Sequence, residues 1–366
     1  MQPDNKPLVS VIIPTYNRAA FVMQAIDSVL QQTFTDFELI VVDDASTDDT
    51  AERLQASYNE KVRYIKKNLN TGPSATRNAG IQMARGIYIA FLDDDDEWLP
   101  EKLELQVPIM QQNPYVGVVY CGCLLVDERG ASVGQVKPEK RGYIFNDLLH
   151  KNHLITSAAL IRKELLEKTG GFDENLAACE DWDLWIRISQ HCLIEYVEGQ
   201  LLRYKVHKLN IHNDMQKMEK NTFMVFDKCL AGIDITTRNR IYGEQSIWWA
   251  WEYYNAGKKD DFARLLCQAL SYIPLGTNLF NFDGNWMEKE RDFFAVLDDF
   301  WSRPENSRLA VIRKKSYVQQ LRQIGWEYYH RGDLKNFRQC IRKAISCSLP
   351  GMPVRLLISY VKSLLS

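Results

Sequence analysis

Four consecutive carboxylates, Asp93 to Asp96, are the residues whose type and spacing most directly imply chemistry. They follow an apolar run, residues 87–92, whose β-branched and aromatic side chains predict a buried strand. Adjacent carboxylates repel one another, so a positive charge must oppose them. A Mg²⁺ or Mn²⁺ ion would do so, because hard oxygen ligands suit both ions and such a metal often also holds phosphates. The alternative is a solvated acidic turn ahead of a helix near Pro100.

Three other polar clusters each follow a predicted strand. Residues 14–18 come after a first apolar run, Asp43 and Asp44 come after a second, and a turn ending at Arg77 follows a third. Helical segments separate these strands, and this alternation predicts a parallel, doubly wound sheet. Open sheets of this kind bind ligands at the carboxyl ends of their strands. The clusters should therefore share one rim of the sheet with the four aspartates.

Another pair of acidic residues, Glu180 and Asp181, opens a segment with helical periodicity. Leu184, Trp185 and Ile188 make one apolar face, which can anchor this helix in the core. An anchored helix would hold the Asp181 carboxylate rigidly towards the rim, as a group that removes a proton requires. Carboxylates in the first turn are also favoured by the helix dipole, so capping is the alternative role for Glu180.

Two rim residues are open to two interpretations each. Asp43 either takes part in ligand binding or is a buried residue at the end of its strand. The guanidinium of Arg77 suits a phosphate group, but a salt bridge to one of the aspartates would use the same chemistry.

The other patterns complete the first half of the chain. A polar stretch with Gly and Pro, residues 127–141, predicts a surface loop, and Ser46 or Thr47 is a good N-cap for the helix after Asp44. Apolar runs predict two further strands and two edge strands, at 116–121, 156–161, 193–197 and 201–206.

Composition places the chain among globular proteins. A net charge of −2 over 366 residues argues against nucleic acid as a partner. The eight cysteines contain no CxxC pair, and Cys121 and Cys123 are predicted to lie in the core, so reduced thiols are expected. The first residues hold no signal-peptide core, and no run approaches the roughly 18 apolar residues of a spanning helix. We therefore expect a cytoplasmic protein.

The C-terminal part differs in kind. Trp251 and Trp326 begin the same pattern, Trp-Glu-Tyr-Tyr-x-x-Gly, 75 residues apart. A helix, a Gly turn and a second helix resemble the helical hairpins of tetratricopeptide repeats. The pattern predicts a helical domain over residues 213–366, with hairpins at about 245–275 and 320–350.

The end of the chain is basic. Residues 301–366 hold 13 Lys or Arg and 3 Asp or Glu, a net charge of +10, against −12 for the rest. Residues 354–365 have the pattern of an amphipathic helix. Basic charge beside an apolar face favours anionic membrane surfaces, which would place the protein peripherally at the inner face of the membrane. The alternative is that this face packs on the preceding hairpin.

Taken together, six motifs resemble those of the family-2 glycosyltransferases, which are inverting, nucleotide-sugar-dependent enzymes of the GT-A fold. The resemblance covers about residues 7–212. The motifs are Val-Ser-Val-Ile-Ile-Pro-Thr-Tyr-Asn-Arg, Gln-Thr-Phe-x-x-Phe-Glu-Leu-Ile-Val-Val-Asp-Asp-Ala-Ser-Thr-Asp, Asn-Thr-Gly-Pro-Ser-Ala-Thr-Arg-Asn-Ala-Gly, the acidic strand end, Glu-Asp-Trp-Asp-Leu-Trp and Tyr-Lys-Val-His. The implied fold class is α/β, with a doubly wound, mostly parallel GT-A sheet over residues 1–212 and the helical domain after it.

The resemblance also implies a nucleotide-sugar donor, usually a UDP-sugar. Tyr16 can stack on the base, Asp44 can accept a hydrogen bond from uracil or ribose, and Asp93 would touch ribose or sugar. The implied substrate-binding residues are Pro14, Thr15, Tyr16, Asn17, Asp43, Asp44, Arg77, Asp93, Asp94 and Glu180.

Metal binding and catalysis fall to three further residues by the same resemblance. Asp95 would ligate the metal, and His207 is a further possible ligand, with a hydrogen-bonded structural histidine as the alternative. Asp181 is the candidate general base, and back-side attack assisted by a single base would invert the anomeric carbon.

The expected function is transfer of a sugar to a hydroxyl of a saccharide or lipid-linked acceptor, as in polysaccharide biosynthesis of the cell envelope. The alternative is a non-catalytic scaffold that binds a nucleotide sugar while its helical half recruits a partner. A complete acidic cluster and an intact Glu180-Asp181 pair favour the enzyme.

Overall fold

The computed structural model describes residues 6–58, 60–207 and 214–272 of the chain. Two compact units divide between Gly232 and Ile233. The first unit is an α/β domain, and the described part of the second is helical, as the sequence predicts. The second predicted hairpin, residues 320–350, and the basic end of the chain lie outside the described residues.

The described strands of the first unit form one mixed sheet. They are β1 Val9–Thr15, β2 Phe37–Asp43, β3 Arg63–Lys66, β4 Tyr88–Phe91, β5 Glu97–Trp98, β6 Val116–Val126, β7 Ser132–Val136, β8 Leu160–Arg162 and β9 Leu193–Lys205. Eight of them lie in the order β3-β2-β1-β4-β8-β6-β9-β5, and β7 pairs with β6. The strands β3, β2, β1 and β4 are parallel to one another, whereas β8 runs antiparallel to both β4 and β6.

Helices connect and cover these strands. They are α1 Ala19–Leu30, α2 Thr50–Tyr58, α3 Pro73–Met83, α4 Lys102–Gln112, α5 Phe145–Leu148, α6 Lys163–Thr169, α7 Glu180–Ser189 and α8 Met215–Cys229, with a short 3₁₀-helix at Thr156–Ala158. One crossover helix between each pair of successive parallel strands gives the predicted doubly wound half. Helix α2 begins at Thr50, so Ser46 and Thr47 are not its N-cap.

Strand β1 lies at the centre of the parallel half and is buried along its whole length. Val11 and Ile13 belong to one core cluster with Ile26 of α1. Ile12 points to the other face, where Gly80 of α3 approaches its side chain. Helices on both faces explain why this strand reads as a continuous apolar run and not as an alternating one.

The sequence predicts that β1 breaks at Pro14, but the strand continues through Thr15. Proline has no backbone N–H to donate to a neighbouring strand. Here β1 pairs with β4 only through Ile12, whose carbonyl accepts from Leu92 N, and Pro14 lies beyond that point. The pairing with β4 therefore ends before Pro14, whereas Pro14 still aligns with Val42 of β2.

Two predictions for the second half of the sheet are wrong. The polar stretch 127–141 is not all loop, because β7 pairs antiparallel with β6. The two predicted edge strands, 193–197 and 201–206, are one strand, β9, which lies between β6 and β5. Gly199 has a φ of +105° inside it, and the pairing with β6 shifts register nearby, so the pattern looked interrupted although the strand continues.

The predicted strand at 156–161 also begins later than expected. Thr156–Ala158 form the 3₁₀-helix and only Leu160–Arg162 enter the sheet as β8. The carbonyl of Ser157 accepts a hydrogen bond from Trp98 Nε1 at 2.7 Å, which a ladder position would not allow.

The described part of the second unit is a helical hairpin. Helix α9 runs from Ile235 to Asn255, helix α10 from Lys259 to Tyr272, and Gly257, with a φ of +71°, lies between them. Trp251 and Tyr253 are buried. In the parts of the chain that the structure describes, no helix is both long enough and apolar enough to cross a membrane.

Candidate active site

The four aspartates lie between β4 and β5, and two of them are tied to the end of β1. Asp94 Oδ2 accepts from Thr15 Oγ1 at 2.7 Å. The guanidinium of Arg18 bridges two carboxylates, with Nη1 at 2.9 Å from Asp94 Oδ1 and 2.7 Å from Asp95 Oδ2. His207 Nε2 lies 2.9 Å from that same Asp95 oxygen. One carboxylate oxygen thus meets a guanidinium and an imidazole.

Asp96 points away from this group into the interior. Its Oδ2 accepts from Ser157 Oγ at 2.7 Å and its Oδ1 from Lys205 N at 3.2 Å. The same Ser157 oxygen accepts from Asp93 N at 3.1 Å. Burial first, and then the neighbouring charges of Asp93 and Asp95, raise the pKa of Asp96 well above its usual range. Asp96 therefore anchors the acidic segment to the 3₁₀-helix.

The charge of Asp94 is balanced between opposing effects. Its pKa is raised to about 6, because burial and the Asp95 carboxylate raise it by more than the Arg18 guanidinium lowers it. Arg18 therefore acts as the positive charge that the cluster needs, as the repulsion between adjacent carboxylates requires.

Asp95 and His207 were predicted as metal ligands, and the structure brings them together. The carboxylate oxygen and the imidazole nitrogen lie 2.9 Å apart, so both could ligate one ion. A carboxylate oxygen is a ligand that suits Mg²⁺ and Mn²⁺. Within residues 6–58, 60–207 and 214–272, no group of three or more His, Cys, Asp or Glu side chains could hold a metal by itself. The residues fit a metal that takes its other ligands from a bound phosphate group.

Arg77 connects the acidic segment with helix α7. Its Nη2 donates to Asp93 Oδ1 at 2.6 Å and its Nη1 to Glu180 Oε1 at 2.9 Å. The guanidinium is buried and stacks over the Phe172 ring, 5.2 Å from its centroid. Burial lowers the pKa of Arg77, but Asp93 and Glu180 outweigh that effect and raise it overall. The salt bridge to Asp93 is one of the two interpretations of Arg77, and the bond to Glu180 joins the acidic segment to helix α7.

Asp181 occupies the first turn of α7, beside Glu180. Its Oδ1 accepts from Trp182 N at 2.6 Å, and its Oδ2 accepts from Asn152 Nδ2 at 3.1 Å. Burial and the Glu180 charge raise its pKa to about 7, against the lowering effects of Trp182 N–H, Arg77 and Asn152. A carboxylate with this pKa is close to half ionised at neutral pH, which suits a group that both holds and releases protons.

The loop after β1 is fixed to the loop after β2 through Asn17. Its φ is +52°, an uncommon conformation for a non-glycine residue that asparagine tolerates. Asn17 N donates to Ser46 Oγ at 2.8 Å, and Asn17 Oδ1 accepts from Thr47 N at 2.7 Å. Tyr16, next to it, is 42% exposed, so its ring is available to a ligand.

The two aspartates at the end of β2 have different surroundings. Asp43 is fully buried and accepts from Ser46 N at 2.7 Å and from the Tyr64 hydroxyl, so it is a buried strand-end residue. Asp44 accepts from Gly72 N at 2.8 Å and pairs with Lys67 Nζ at 2.7 Å. Burial by itself raises the pKa of Asp44. The hydrogen bonds from these donors outweigh burial and lower the pKa overall, so the carboxylate stays ionised.

Three residues of the site were not among the site residues predicted from the sequence. Arg18 stands next to Asn17 in the first motif, and its position there was the available signal. Asn152 and Ser157 lie in segments with no recognisable motif, 29 and 61 residues from the aspartates Asp181 and Asp96 that they contact. Nothing in the sequence pattern marks them.

The sheet and its acidic rim define a GT-A glycosyltransferase domain. A solved mannosyltransferase from Pyrobaculum calidifontis has a similar fold, with a TM-score of 0.51 over 87% of this chain and 88% of that one. At 19% sequence identity this likeness concerns the fold alone.

Sequence comparison supplies the family. The family model "Glycosyl transferase family 2" matches residues 10–170. An uncharacterized glycosyltransferase of Methanocaldococcus jannaschii is 35% identical over 210 residues, which are 55% of this chain and 72% of the relative. One from Rickettsia prowazekii is 37% identical over 57% of this chain and 66% of its own length. The putative colanic acid biosynthesis glycosyl transferase of Escherichia coli is 32% identical over 58% and 76%. The chain belongs to glycosyl transferase family 2.

Proposed function

We propose that this glycosyltransferase moves a sugar from a nucleotide-sugar donor to a hydroxyl of a saccharide or lipid-linked acceptor, with inversion at the anomeric carbon. The observation that carries the proposal is the bridge made by Arg77. Its guanidinium contacts Asp93 in the acidic segment and Glu180 beside Asp181, at 2.6 and 2.9 Å. The groups suited to a donor and the group suited to an acceptor are therefore held beside each other.

The donor side combines recognition with charge neutralisation. Tyr16 offers an exposed ring for a base, and the ionised Asp44 offers acceptors for a base or ribose, which suits a UDP-sugar. A divalent metal held by Asp95 and His207 would neutralise the diphosphate and so stabilise the leaving group. The Pyrobaculum mannosyltransferase was solved with GDP-mannose and Mn²⁺, so GDP-sugars belong in a donor screen beside UDP-sugars.

The acceptor side rests on Asp181. Its carboxylate takes the proton of the acceptor hydroxyl while that oxygen bonds to the anomeric carbon. The bond from this carbon to the diphosphate oxygen breaks, and its electron pair leaves with the nucleotide. Attack from the face opposite the leaving group inverts the configuration. The pKa of about 7 supports this role, because a base works best when its pKa lies near the operating pH.

The experiment is turnover of a panel of UDP- and GDP-sugars by wild type and by Asp181→Asn, which keeps the shape and removes the basicity. We expect turnover to fall by roughly 10²- to 10⁴-fold. Donor affinity should stay near that of wild type, because the base contacts the acceptor. Asp49→Asn is the matched control, because the Asp49 side chain is exposed and its ion pair is with Arg53 on the same helical turn.

Two results would contradict this assignment. Turnover of Asp181→Asn within a few-fold of wild type would exclude Asp181 as the base. Binding of a nucleotide sugar without any turnover by wild type, water included as the acceptor, would favour the non-catalytic scaffold.

A further inference from the structure

The Asp181 carboxylate is held by a side chain that no motif marks. Asn152 Nδ2 donates to Asp181 Oδ2 at 3.1 Å. At its other end, Asn152 Oδ1 accepts from Leu154 N at 3.1 Å. This second bond fixes which end of the amide faces the carboxylate, because a flipped amide would set its NH₂ group against another N–H. The donor is therefore aimed at Asp181 and not merely close to it.

Helix α7 itself fixes the segment that carries Asn152. Trp182 Nε1 donates to the carbonyl of Leu148 at 2.7 Å, and Trp185 Nε1 donates to the carbonyl of Leu154 at 3.2 Å. Both indoles are buried. The two bonds lie on either side of Asn152, so the helix that carries Asp181 also positions its hydrogen-bond donor.

The charges around Asp181 make such a donor useful. Burial and the Glu180 charge favour the protonated carboxyl. Among the neighbouring titratable side chains, burial and then nearby carboxylates, Asp181 included, raise the pKa of the Cys179 thiol and of the Tyr204 hydroxyl. Arg77 favours the ionised form, but its guanidinium is already bonded to two other carboxylates. Thr156 Oγ1 is 3.5 Å from Oδ2, at the limit of a hydrogen bond. Asn152 is thus the closer of the two neutral side-chain donors to this oxygen.

We propose that Asn152 is a positioning residue for Asp181: its amide fixes the orientation of the carboxylate and favours the ionised form that can remove a proton. The inference rests on the proposed role of Asp181 as the base. Asn152 and, at 3.5 Å, Thr156 approach Oδ2, whereas Trp182 N–H occupies one lone pair of Oδ1, which keeps another for the acceptor hydroxyl.

The test measures the pKa of Asp181 directly, with no need to know the acceptor. Full-length protein labelled with ¹³C at the aspartate carboxyl carbons is titrated by NMR, and Asp181→Asn identifies the resonance. In Asn152→Leu, which keeps the volume and removes the donor, we expect the pKa of Asp181 to rise by about one unit. Asn175→Leu is the matched control, because the Asn175 side chain is exposed and its amide donates within its own turn, to Asp173. An unchanged Asp181 pKa in Asn152→Leu would overturn the inference.

A second measurement uses the wild-type protein and covers the case in which Asn152→Leu does not fold. The side-chain NH₂ resonances of Asn152 should shift with pH in step with the Asp181 carbon, because protonation weakens the bond between them. Resonances that do not follow that titration would overturn the inference. The outcomes separate it from the proposed function. An Asp181→Asn variant that stays active removes the base, whereas an unchanged pKa in Asn152→Leu removes only the positioning role.

Discussion

At the scale of single residues, Asp181, the proposed base, makes the stability of the fold depend on pH. Its pKa rises from an ordinary 3.8 to about 7 in the folded chain, mainly through burial and the Glu180 charge. An acid with a raised pKa binds its proton more tightly when folded. Its stabilising contribution is therefore full below about pH 4 and is lost as the pH rises through about 7.

Asp181→Asn cannot titrate, so it isolates this effect. Wild type loses the contribution of Asp181 as the pH rises from about 4 to 8, and the variant does not. We therefore expect the free energy of unfolding of the variant, relative to that of wild type, to increase over this range. Urea denaturation of both proteins at the two pH values measures the change. A difference that stays constant, or that moves the other way, would mean that Asp181 titrates normally in the folded protein.

The Asp95 oxygen that meets Arg18 and His207 gives a second prediction at this scale. Asp95→Ala should sharply weaken Mn²⁺-dependent binding of UDP, because the diphosphate loses its counter-charge, and transfer should be abolished. Calorimetry with UDP in the presence and absence of Mn²⁺ measures this. Arg18→Ala is the paired variant, since it removes the cation that occupies the same oxygen at 2.7 Å, and it should strengthen binding of Mn²⁺ alone. Unchanged Mn²⁺-dependent affinity in Asp95→Ala would remove that residue from the metal site.

At the scale of elements, the position of strand β4 decides where the acidic segment emerges. Gly86 precedes β4 and lies directly against β1, because its N–H donates to Ser10 Oγ at 2.8 Å. A Cβ at this position would lie 2.6 Å from Ser10 N and 2.7 Å from the carbonyl carbon of Val9. These are backbone atoms, which cannot move without separating the two strands.

Gly86→Ala should therefore cost about 1–3 kcal/mol of stability, the usual range for overpacking. Urea denaturation measures the loss. Gly134→Ala on strand β7 is the control, because its Cβ would approach only the end of the Leu125 side chain, at 3.3 Å. Equal effects of the two substitutions would show that contact with the β1 backbone is not what restricts residue 86.

At the scale of the whole molecule, charge is distributed unevenly along the sequence. The net charge of +10 over residues 301–366 against −12 for the rest predicts attraction of that end to anionic lipid, worth up to about 1 kcal/mol per cation near the surface. When liposomes are pelleted at low salt, a larger fraction of the protein should sediment with anionic lipid than with neutral lipid. Failure to sediment with anionic liposomes would favour the alternative, in which the apolar face predicted for residues 354–365 packs on the predicted hairpin before it.

The sequence by itself determined the features that depend on local periodicity. Alternating strands and helices predicted the parallel half of the sheet. Apolar spacing at Leu184, Trp185 and Ile188 predicted the buried face of α7, and all three side chains are fully buried. The acidic strand end could be recognised because its four aspartates are consecutive in the sequence. Neighbouring residues on one strand or helix hold a fixed geometry, so spacing along the chain is enough to place them relative to one another.

Only the tertiary structure decided which distant residues meet. Arg77 and Glu180 are 103 residues apart, and Arg18 and Asp95 are 77 apart. Their contacts depend on the order of strands in the sheet, and no periodicity within a segment encodes that order. The same reason hid Asn152, whose place beside Asp181 follows from two tryptophan bonds to backbone carbonyls. Every residue type has the same backbone carbonyl, so a bond to a carbonyl leaves no mark in the sequence. The pattern of residue types therefore could not reveal the segment that holds the proposed base in position.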